Sequence, residues 1–451
     1  MNSKWCPLPW IHMAIRNNGD LRVCCQANTS ENGGIYHNQN GQAYNCAQSD
    51  FYESRNCQMA KDIRKSMLRG EVHEACARCD REDASGMSSR RQYERRNWEN
   101  VFNYEQAKNL THVDGTIEAD RLPVMYYDIR FGNLCNLKCR MCGPTDSSKW
   151  YSDQVKVWGN TYKDSHGLVK LIEKKPGVYS PEVDGYKWFE EEFFWQHMEG
   201  QMDHIKHLYM VGGEPLLISQ HFEFLEKCVA RGVAGNIVLE YNSNITQIPD
   251  KAWELWRQFK RIQFGVSVDG MGMVNDYIRF PSRWENIEKN LRKLDMAEGN
   301  FVVWLACTVQ AYNILYLPDF IKWKLESGFS RINSTRDRRL ITPHPLHNPS
   351  FLNVKMLPTR AKQMVLGKFE EFFPWLEQWL STKEFSLEVK QEYQACAQSI
   401  FKSYADYMMK EDWSHLVPKF LNYTQKLDQL RGQSIEEALP ELYEWLKEPP
   451  H

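Results

Sequence analysis

The chain has 451 residues, of which 42% are hydrophobic and 25% are charged, so it is long enough for two or three domains around a large buried core. Its formal net charge of −2 gives no overall field that would attract nucleic acid or an anionic membrane surface. No apolar run reaches the roughly 20 residues that a membrane-spanning helix needs, and the N-terminus has no apolar signal segment. The composition therefore predicts a cytoplasmic protein.

The 13 cysteines are unevenly placed along the chain. Seven of them precede residue 80, three form a central array, and Cys228, Cys307 and Cys396 follow singly. Without a secretion signal, metal binding is favoured over disulfide bonds. The three single cysteines are expected to be small buried hydrophobic residues.

The first hundred residues carry a group of cysteines that can converge on one metal centre. The candidate ligands are Cys6, Cys24, Cys25, Cys76 and Cys79. Asn-Asn-Gly at 17–19 predicts a hairpin turn, which would carry the first cysteine at its start and one of the adjacent pair at its end. A helix over 59–69 would bring the C-x2-C pair back. Four thiolates suit either a closed zinc site or a fully ligated iron–sulfur cluster, and the spacing does not separate the two.

The adjacent pair Cys24 and Cys25 is ambiguous, because neighbouring residues of a strand face opposite sides and only one would face a metal. Residues 28–56 are rich in Asn, Gln, Gly and Ser and predict a long loop or insertion. Cys46 and Cys57, in or beside this stretch, are expected to bind nothing.

Arginines are concentrated just after the C-x2-C pair. They are Arg81, Arg90, Arg91, Arg95 and Arg96. We interpret them as a solvated helix face, and contact with a phosphate or carboxylate of a substrate is the alternative.

A strand predicted over 124–131 leads into the loop FGNLCNLKCRMCGP at 131–144. The loop places Cys135, Cys139 and Cys142 in a C-x3-C-x2-C array, and three thiolates can bind one soft metal centre. On a four-iron cluster they would leave one iron without a protein ligand, and an open coordination site is where a substrate or cofactor binds. A zinc site with a fourth ligand from elsewhere is the alternative.

At these residues the chain resembles the radical S-adenosylmethionine (SAM) superfamily. The resemblance implies that the array holds a [4Fe–4S] cluster whose open iron chelates the amino and carboxylate groups of SAM. In that superfamily the residue before the third cysteine is often aromatic and packs near adenine. Here it is Met141, whose thioether can also pack against a ring.

Beyond the loop, strand and helix patterns alternate, which predicts parallel α/β units. Residues 145–200 are expected to be helical where a pattern is readable. Further strands are predicted over 206–211, 236–244, 261–269 and 301–310, with a possible last strand around 339–341. Helices are predicted over 219–232, 250–260, 284–294 and 315–327. With right-handed crossovers, this α/β pattern predicts a partial (β/α)6 barrel over 120–345.

Polar motifs follow the predicted strands at their carboxyl ends, where parallel α/β folds place their chemistry. The residues are Gly212, Gly213, Glu214, Asn242, Ser243, Asn244, Ser267, Asp269, Arg279, Gln310 and Asn313. A Gly-Gly pair lets backbone approach a ligand closely, and a glutamate accepts hydrogen bonds from an ammonium group. Ordinary turns and caps are the alternative for each motif taken singly.

The resemblance to the radical SAM superfamily assigns cofactor contacts to these residues. It implies that Gly-Gly-Glu-Pro at 212–215 contacts the methionyl amino group of SAM, and that Ser267 and Asp269 reach the ribose hydroxyls. It implies that Arg279 pairs with the SAM carboxylate, a chemically apt contact. Gln310 would line the adenine or substrate side.

The N-terminal segment resembles the SPASM/twitch auxiliary-cluster module of many radical SAM enzymes. The matching residues are Cys6-Pro7, Gly19 through Cys24-Cys25, Cys76-x2-Cys79 and the stretch 81–92. The resemblance implies one auxiliary [4Fe–4S] cluster and favours Cys24 over its neighbour. The segment precedes the radical SAM core here, whereas the module more usually follows it.

Three domains are therefore predicted: the twitch-like segment over 1–100, the core over 120–345 and a helical region over 346–451. From residue 359 onward the pattern is helical and amphipathic. His344 and His347 form an H-x2-H pair that we interpret as part of a linker rather than as metal ligands. The C-terminal region shows no catalytic constellation and is expected to cover the barrel, shape a cavity or bind a partner.

The resemblance implies an oxidoreductase that reductively cleaves SAM to methionine and a 5′-deoxyadenosyl radical, which abstracts hydrogen from a substrate. It also implies a low-potential electron donor of flavodoxin or ferredoxin type. A peptide or protein side chain is the expected substrate, and a small metabolite or sugar is the alternative. A non-catalytic zinc-binding scaffold is the alternative from another class.

Overall fold

The computed structural model describes residues 3–29, 32–84, 88–118, 120–164, 167–332 and 340–447. The chain forms two compact units. The first comprises Met1–Asn136, Pro144–Tyr241 and Asp250–Ile262, and the second comprises Leu137–Gly143, Asn242–Pro249 and Gln263–His451. Each unit combines helices with strands, so the fold is mixed α/β, whereas the three-domain division stays a prediction.

The first unit contains most of the described strands. They are β1 (His12–Ile15), β2 (Leu21–Arg22), β3 (Tyr126–Arg130), β4 (Thr161–Asp164), β5 (Gly167–Lys175), β6 (Val178–Pro181), β7 (His207–Val211) and β8 (Val238–Ser243), of which β8 ends in residues of the second unit. Five of them are neighbours in the order β2-β1-β3-β7-β8. Strand β1 pairs antiparallel with β2 and parallel with β3, and β3, β7 and β8 are parallel. The N-terminal segment thus adds strands to the sheet that β3 begins.

The two faces of this sheet differ in chemistry. Residues that are paired in register point to the same side of the sheet, so each row of paired residues belongs to one face. One row is apolar and consists of Ile15, Ile129, Met210 and Tyr241. The adjacent row on the other face is Arg22, Ala14, Asp128, Tyr209 and Glu240. The polar face therefore collects ionisable side chains from strands that are far apart in the sequence.

The hairpin predicted at 17–19 is confirmed as the turn between β1 and β2. Gly19 adopts φ +86°, a conformation that glycine adopts without steric cost, and its N–H donates to the Arg16 carbonyl at 2.9 Å. A Cβ at this position would lie 2.7 Å from Asn45 and 2.9 Å from Trp188. The turn is therefore fixed by its neighbours as well as by its own hydrogen bond.

The helices of the first unit are α1 (Leu8–Ile11), α2 (Phe51–Arg55), α3 (Gln58–Leu68), α4 (Ala77–Ala84), α5 (Arg90–Trp98), α6 (Tyr104–Asn109), α7 (Trp150–Trp158), α8 (Glu192–Gln201), α9 (Ser219–Ala230) and α10 (Asp250–Trp256). The predicted helix over 59–69 is confirmed as α3. The loop predicted over 28–56 is largely correct but ends in α2. Residues 85–87 of the twitch-like stretch 81–92 lie outside the described residues.

The expectation of helix over 145–200 is wrong for its middle part. Strands β4, β5 and β6 form a three-stranded antiparallel sheet there, between α7 and α8. Val169 and Leu171 alternate with exposed neighbours along β5 and pack on Tyr151 of α7. That alternation is the period-2 signal of a half-buried strand, and it outweighs the aromatic and charged composition of the stretch.

The second unit contains strands β9 (Arg261–Ser267), which begins in the first unit, β10 (Phe301–Val309) and β11 (Thr342–Pro345), in that order, with β10 and β11 parallel. The last strand, expected around 339–341, lies slightly later, and residue 339 is outside the described part. The helices are α11 (Gly272–Ile278), α12 (Trp284–Asp295), α13 (Leu317–Glu326), α14 (Thr359–Ser381), α15 (Leu387–Met409), α16 (Val417–Arg431), α17 (Ile435–Ala438) and α18 (Pro440–Lys447). The helical C-terminal region is confirmed.

None of the described helices is both long enough and apolar enough to cross a membrane.

Candidate functional site

Four of the predicted auxiliary ligands line one pocket in the first unit. They are Cys6, Cys24, Cys76 and Cys79, and the pocket has an empty volume of about 410 Å³. Cys6 lies just before α1 and Cys24 follows β2. Cys76 immediately precedes α4, and Cys79 lies in the first turn of that helix. The hairpin and the return of the chain through α3 therefore place the four cysteines around one pocket, and their role as ligands stays a prediction.

Burial raises the pKa of the Cys6 and Cys24 thiols, and the neighbouring thiols raise both further. Burial also raises the pKa of Cys76 to about 12, with Cys79 as the next cause. Each thiol thus disfavours the ionisation of the others unless a cation is shared among them. A bound metal deprotonates coordinating thiols outright, so this donor set fits a metal–sulfur centre.

The spacing of the sulfurs bears on which centre fits. A tetrahedral zinc ion with Zn–S bonds of about 2.3 Å needs its sulfurs about 3.8 Å apart. Over the described ranges, no three His, Cys, Asp or Glu side chains are grouped so that they could hold a metal ion. The four cysteines line one pocket, and this grouping does not separate a zinc ion from an iron–sulfur cluster.

The adjacent cysteines face different surroundings. Cys24 lines the pocket and Cys25 does not. Cys25 begins a 3-10 turn, and its thiol is one of the groups that act on the pKa of Arg22, Arg90 and Arg130. The assignment of Cys24 as the ligand stays a prediction, and its place in the pocket supports it.

Replacing Cys24 by alanine should lower the iron content of the anaerobically purified protein by about half, because one of the two predicted four-iron clusters would lose a ligand. The matched Cys25→Ala variant should keep its iron, since its sulfur is outside the pocket lining. Iron and sulfide assays with electron paramagnetic resonance of the reduced protein measure the difference. Equal losses in both variants would contradict the assignment.

The remaining cysteines lie elsewhere. Cys46 and Cys57 are buried and neither lines the pocket. Cys228 and Cys307 are buried, as expected, whereas Cys396 is partly exposed.

In the first unit, the Gly-Gly-Glu-Pro turn closes on the chain immediately before Cys135. The Glu214 N–H donates to the Leu134 carbonyl at 2.8 Å. Gly213 has φ +54°, and a Cβ there would lie 2.4 Å from the same carbonyl oxygen, so only glycine fits without a shift of backbone. Glu214 is 2% exposed and its carboxylate accepts the Leu216 N–H at 3.2 Å. The Gly-Gly-Glu-Pro turn is thereby bonded to the start of the cysteine loop, although the two motifs are distant in sequence.

In the second unit, Cys139 and Cys142 lie on one turn, in which the Cys142 N–H donates to the Cys139 carbonyl at 3.0 Å. A hydrogen bond from Cys142 lowers the pKa of the Cys139 thiol against the opposing effect of burial, and Arg279 lowers it further. Burial would lower the pKa of Arg279, but Asp269 and then Cys139 raise it above its ordinary value. The guanidinium therefore lies near both cysteines. Met141, between them, is partly exposed.

Arg279 forms an ion pair with Asp269 at 2.7 Å. The Asp269 carboxylate is 1% exposed and also accepts the Thr308 N–H at 2.7 Å. Burial raises the pKa of Asp269, and Arg279 opposes that shift. The predicted contacts of these two residues with the carboxylate and ribose of SAM stay predictions. Ser267 is the last residue of β9, two residues before Asp269, and is partly exposed.

Gln310 offers an atom that fits a bound ligand. The side chain is fully buried, its amide nitrogen donates to the Thr308 carbonyl at 3.4 Å, and within the described part of the chain its Oε1 has no hydrogen-bond donor. A buried unpaired acceptor is costly, and an exocyclic amino group such as that of adenine would satisfy it. The predicted contact of Gln310 with the adenine side of the cofactor stays a prediction that this acceptor supports.

The predicted residues 242–244 lie in the second unit at the end of β8, of which Asn242 and Ser243 are the last residues. Ile245 adopts φ +45°, which is unusual for a β-branched residue. The Ser243 hydroxyl accepts the Ile245 N–H at 3.0 Å, and Asn244 Oδ1 accepts the Thr246 N–H at 3.0 Å. A Cβ on Gly265 would lie 2.4 Å from Asn242 Oδ1. Such strain, held in place by surrounding contacts, is common at functional sites, and the capping interpretation also applies.

Sequence reasoning missed Arg140, which lies between Cys139 and Cys142 and is fully buried. Its guanidinium lies 3.6 Å from the ring centre of Tyr277 and donates from Nε to the Tyr277 carbonyl at 2.9 Å. It also pairs with Asp428 of α16. The Tyr423 hydroxyl of the same helix donates to the Arg140 carbonyl at 2.6 Å. The C-terminal region thus holds the cysteine turn, and no local pattern signals this contact.

A polar network on the sheet of the first unit was also missed. His207 Nε2 lies 2.9 Å from the Glu240 carboxylate, and the Tyr126 and His207 rings stack at 4.4 Å. Arg90 of α5 pairs with Glu94 at 2.6 Å.

The interpretation of the arginine run as a solvated helix face is therefore wrong for Arg90 and Arg91, whereas Arg81 is exposed. Arg91 is 2% exposed and lies 3.0 Å from Asp83, and Arg90 faces the polar network. Both residues lie in α5, where they turn toward the protein because carboxylates are available there as partners.

No protein-family model matches the chain, and no curated protein matches it. Two similar solved structures are of SuiB from Streptococcus suis. SuiB bound to S-adenosylmethionine is 14% identical with a TM-score of 0.28, over 66% of this chain and 61% of that one. SuiB bound to the precursor peptide SuiA is 13% identical with a TM-score of 0.29, over 88% of this chain and 78% of that one. The chain thus spans about three fifths of the first structure. At these scores the likeness carries no argument, and the function rests on the chain's own residues.

Proposed function

We propose that the chain is a radical SAM enzyme with a partial (β/α)6 barrel and an N-terminal twitch-like auxiliary cluster. The observation that carries the proposal is the hydrogen bond of 2.8 Å from the Glu214 N–H to the carbonyl that precedes Cys135. An ordinary turn does not require a hydrogen bond to a cysteine loop. A turn that holds the amino group of SAM must lie next to that loop, because the cofactor would bind the cluster through the same group.

Cys135, Cys139 and Cys142 would hold the [4Fe–4S] cluster, and Glu214 would accept hydrogen bonds from the SAM ammonium. When bound and reduced by a donor of flavodoxin or ferredoxin type, the cluster supplies the electron for reductive cleavage of SAM, which in turn supplies the hydrogen-abstracting group. Arg279 would pair with the SAM carboxylate. Its charge also favours the thiolate form of Cys139.

Cys6, Cys24, Cys76 and Cys79 would hold the auxiliary cluster. Four thiolates leave it no open position, so electron transfer suits it better than binding of a substrate. The enzyme would then be an oxidoreductase, because the auxiliary cluster can accept the electron of a substrate radical. We propose a peptide or protein side chain as the substrate, with a small metabolite or sugar as the second candidate.

Anaerobic purification tests the proposal against a zinc scaffold. The protein should contain about eight irons per chain and absorb visible light. With dithionite and SAM it should release 5′-deoxyadenosine and methionine, detected by mass spectrometry. Stoichiometric zinc in a colourless protein that leaves SAM intact would favour the scaffold instead.

A further inference from the structure

Three arginines converge on a second pocket in the first unit, with an empty volume of about 310 Å³. Arg16 follows β1, Arg22 ends β2 and Arg130 ends β3. The rest of the lining is Asn17, Asn18, Thr145, Asp146 and Tyr186. This pocket shares no lining residue with the one that Cys6, Cys24, Cys76 and Cys79 line, and its arginines have no role in the proposed clusters.

The arginines are largely buried but incompletely paired. Arg16 is 4% exposed and Arg22 is 3% exposed. Among the described residues, Nε of Arg22 and Nε of Arg130 are buried and have no hydrogen-bond acceptor. A buried donor on a charged group costs free energy when it has no acceptor, so this arrangement indicates a ligand that provides oxygen atoms.

Carboxylates are present nearby, but they leave these donors unsatisfied. Asp128 lies 3.7 Å from Arg130 Nε, too far for a hydrogen bond. Asp20 and Asp164 act on Arg16, and both have other partners. Asp20 is bonded to the side chains of Asn18 and Asn45, and Asp164 to Thr145. Asp146 is the one carboxylate in the lining itself, against three guanidinium groups.

The frame of the pocket is fixed, which suits a preformed site. Asn17 Nδ2 donates to the Thr145 carbonyl at 2.9 Å, and Trp188 Nε1 donates to the Asn17 carbonyl at 3.0 Å. A Cβ on Gly212 would lie 2.5 Å from Arg130 Cβ and 2.9 Å from Asn17 Oδ1. The pocket is therefore next to the Gly-Gly-Glu-Pro turn, while Asn17, Asn18 and Asp146 keep it partly open to solvent.

We propose that Arg16, Arg22 and Arg130 form an anion-binding site that takes a carboxylate or phosphate group of the substrate. Guanidinium groups present planar pairs of donors that match both oxyanions. A site next to the turn that would hold SAM would orient the substrate for hydrogen abstraction. That the anion belongs to the substrate rests on the proposed function, whereas binding of the anion itself does not.

Calorimetric titration of the anaerobic holoprotein with inorganic phosphate, and separately with succinate, tests the site at constant ionic strength and without SAM. One anion should bind per chain, and Arg130→Gln should weaken it at least about tenfold, the equivalent of one lost charge-assisted hydrogen bond. Arg22→Gln should do the same, with iron content as the check of folding for both. The matched Arg257→Gln variant, changed at an exposed arginine, should bind as the wild type does.

Tighter binding of phosphate would indicate a phosphorylated substrate, and tighter binding of succinate an acidic side chain. Absence of binding by both anions, or equal affinity in the wild type and both pocket variants, would overturn the site. A protein that binds phosphate but never cleaves SAM would overturn the proposed function and leave the anion site standing. A protein that cleaves SAM but binds neither anion would overturn the anion site alone.

Discussion

The Cys139→Ala variant should release no 5′-deoxyadenosine from SAM, with a rate at least about 1,000-fold below the wild type, or about 4 kcal/mol of activation free energy. Only three thiolates are available to the core cluster, so the loss of one leaves two ligands for four irons. Hydrogen bonding from Cys142 and the charge of Arg279 already lower the pKa of this thiol, so it is prepared for coordination as a thiolate. Iron should fall from about eight to about four per chain, because the auxiliary cysteines are unchanged.

The matched control is Cys228→Ala, which also removes a buried thiol. Cys228 lies within α9, outside the linings of both described pockets, so SAM cleavage and iron content should match the wild type. Anaerobic assays with dithionite and mass spectrometry of the products measure both variants. SAM cleavage by Cys139→Ala at the wild-type rate would refute the catalytic assignment of the array.

Replacing Asp428 by asparagine should destabilise the packing of α16 on the cysteine turn by about 3–5 kcal/mol, the range found when one partner of a buried ion pair is removed. Arg140 has no exposed surface, so its charge cannot turn to water when the carboxylate is lost. Asp428 also accepts the Tyr277 hydroxyl at Oδ1 at 2.9 Å and the Ile435 N–H at Oδ2 at 2.8 Å, and asparagine has an oxygen at one of these two positions. The change therefore removes the charge together with one hydrogen-bond acceptor.

Amide hydrogen exchange, read by mass spectrometry, measures this effect locally. A single unfolding midpoint would not, because a chain with two compact units need not unfold in one step. Peptides from 417–431 should exchange at least about 100-fold faster in Asp428→Asn, since 1.4 kcal/mol corresponds to a factor of ten. The control Asp203→Asn breaks an ion pair with Arg231 that is exposed on both sides and should leave exchange unchanged. Unchanged exchange in Asp428→Asn would show that the buried pair does not hold the turn.

Local patterns in the sequence determined most elements near the site. The strand before the cysteine loop, the turn at Gly19 and helix α3 follow from periodicity and turn chemistry, which act over a few residues. The cysteine spacings grouped Cys6, Cys76 and Cys79 with the adjacent pair at 24–25, and four of these five cysteines line one pocket. The sequence could not distinguish Cys24 from Cys25, because the choice depends on which face of the chain the pocket occupies, and that is set by packing.

Tertiary structure alone decided the contacts between distant segments. The closure of Glu214 on Leu134, the pairing of Arg140 with Asp428 and the meeting of Arg16, Arg22 and Arg130 each join residues from separate elements. Pairing of β1 with β3 sets the last of these, since strand register fixes which side chains share a face. A sequence displays periodicity and spacing along one chain, whereas buried charges choose their partners from whatever the fold brings within hydrogen-bonding distance.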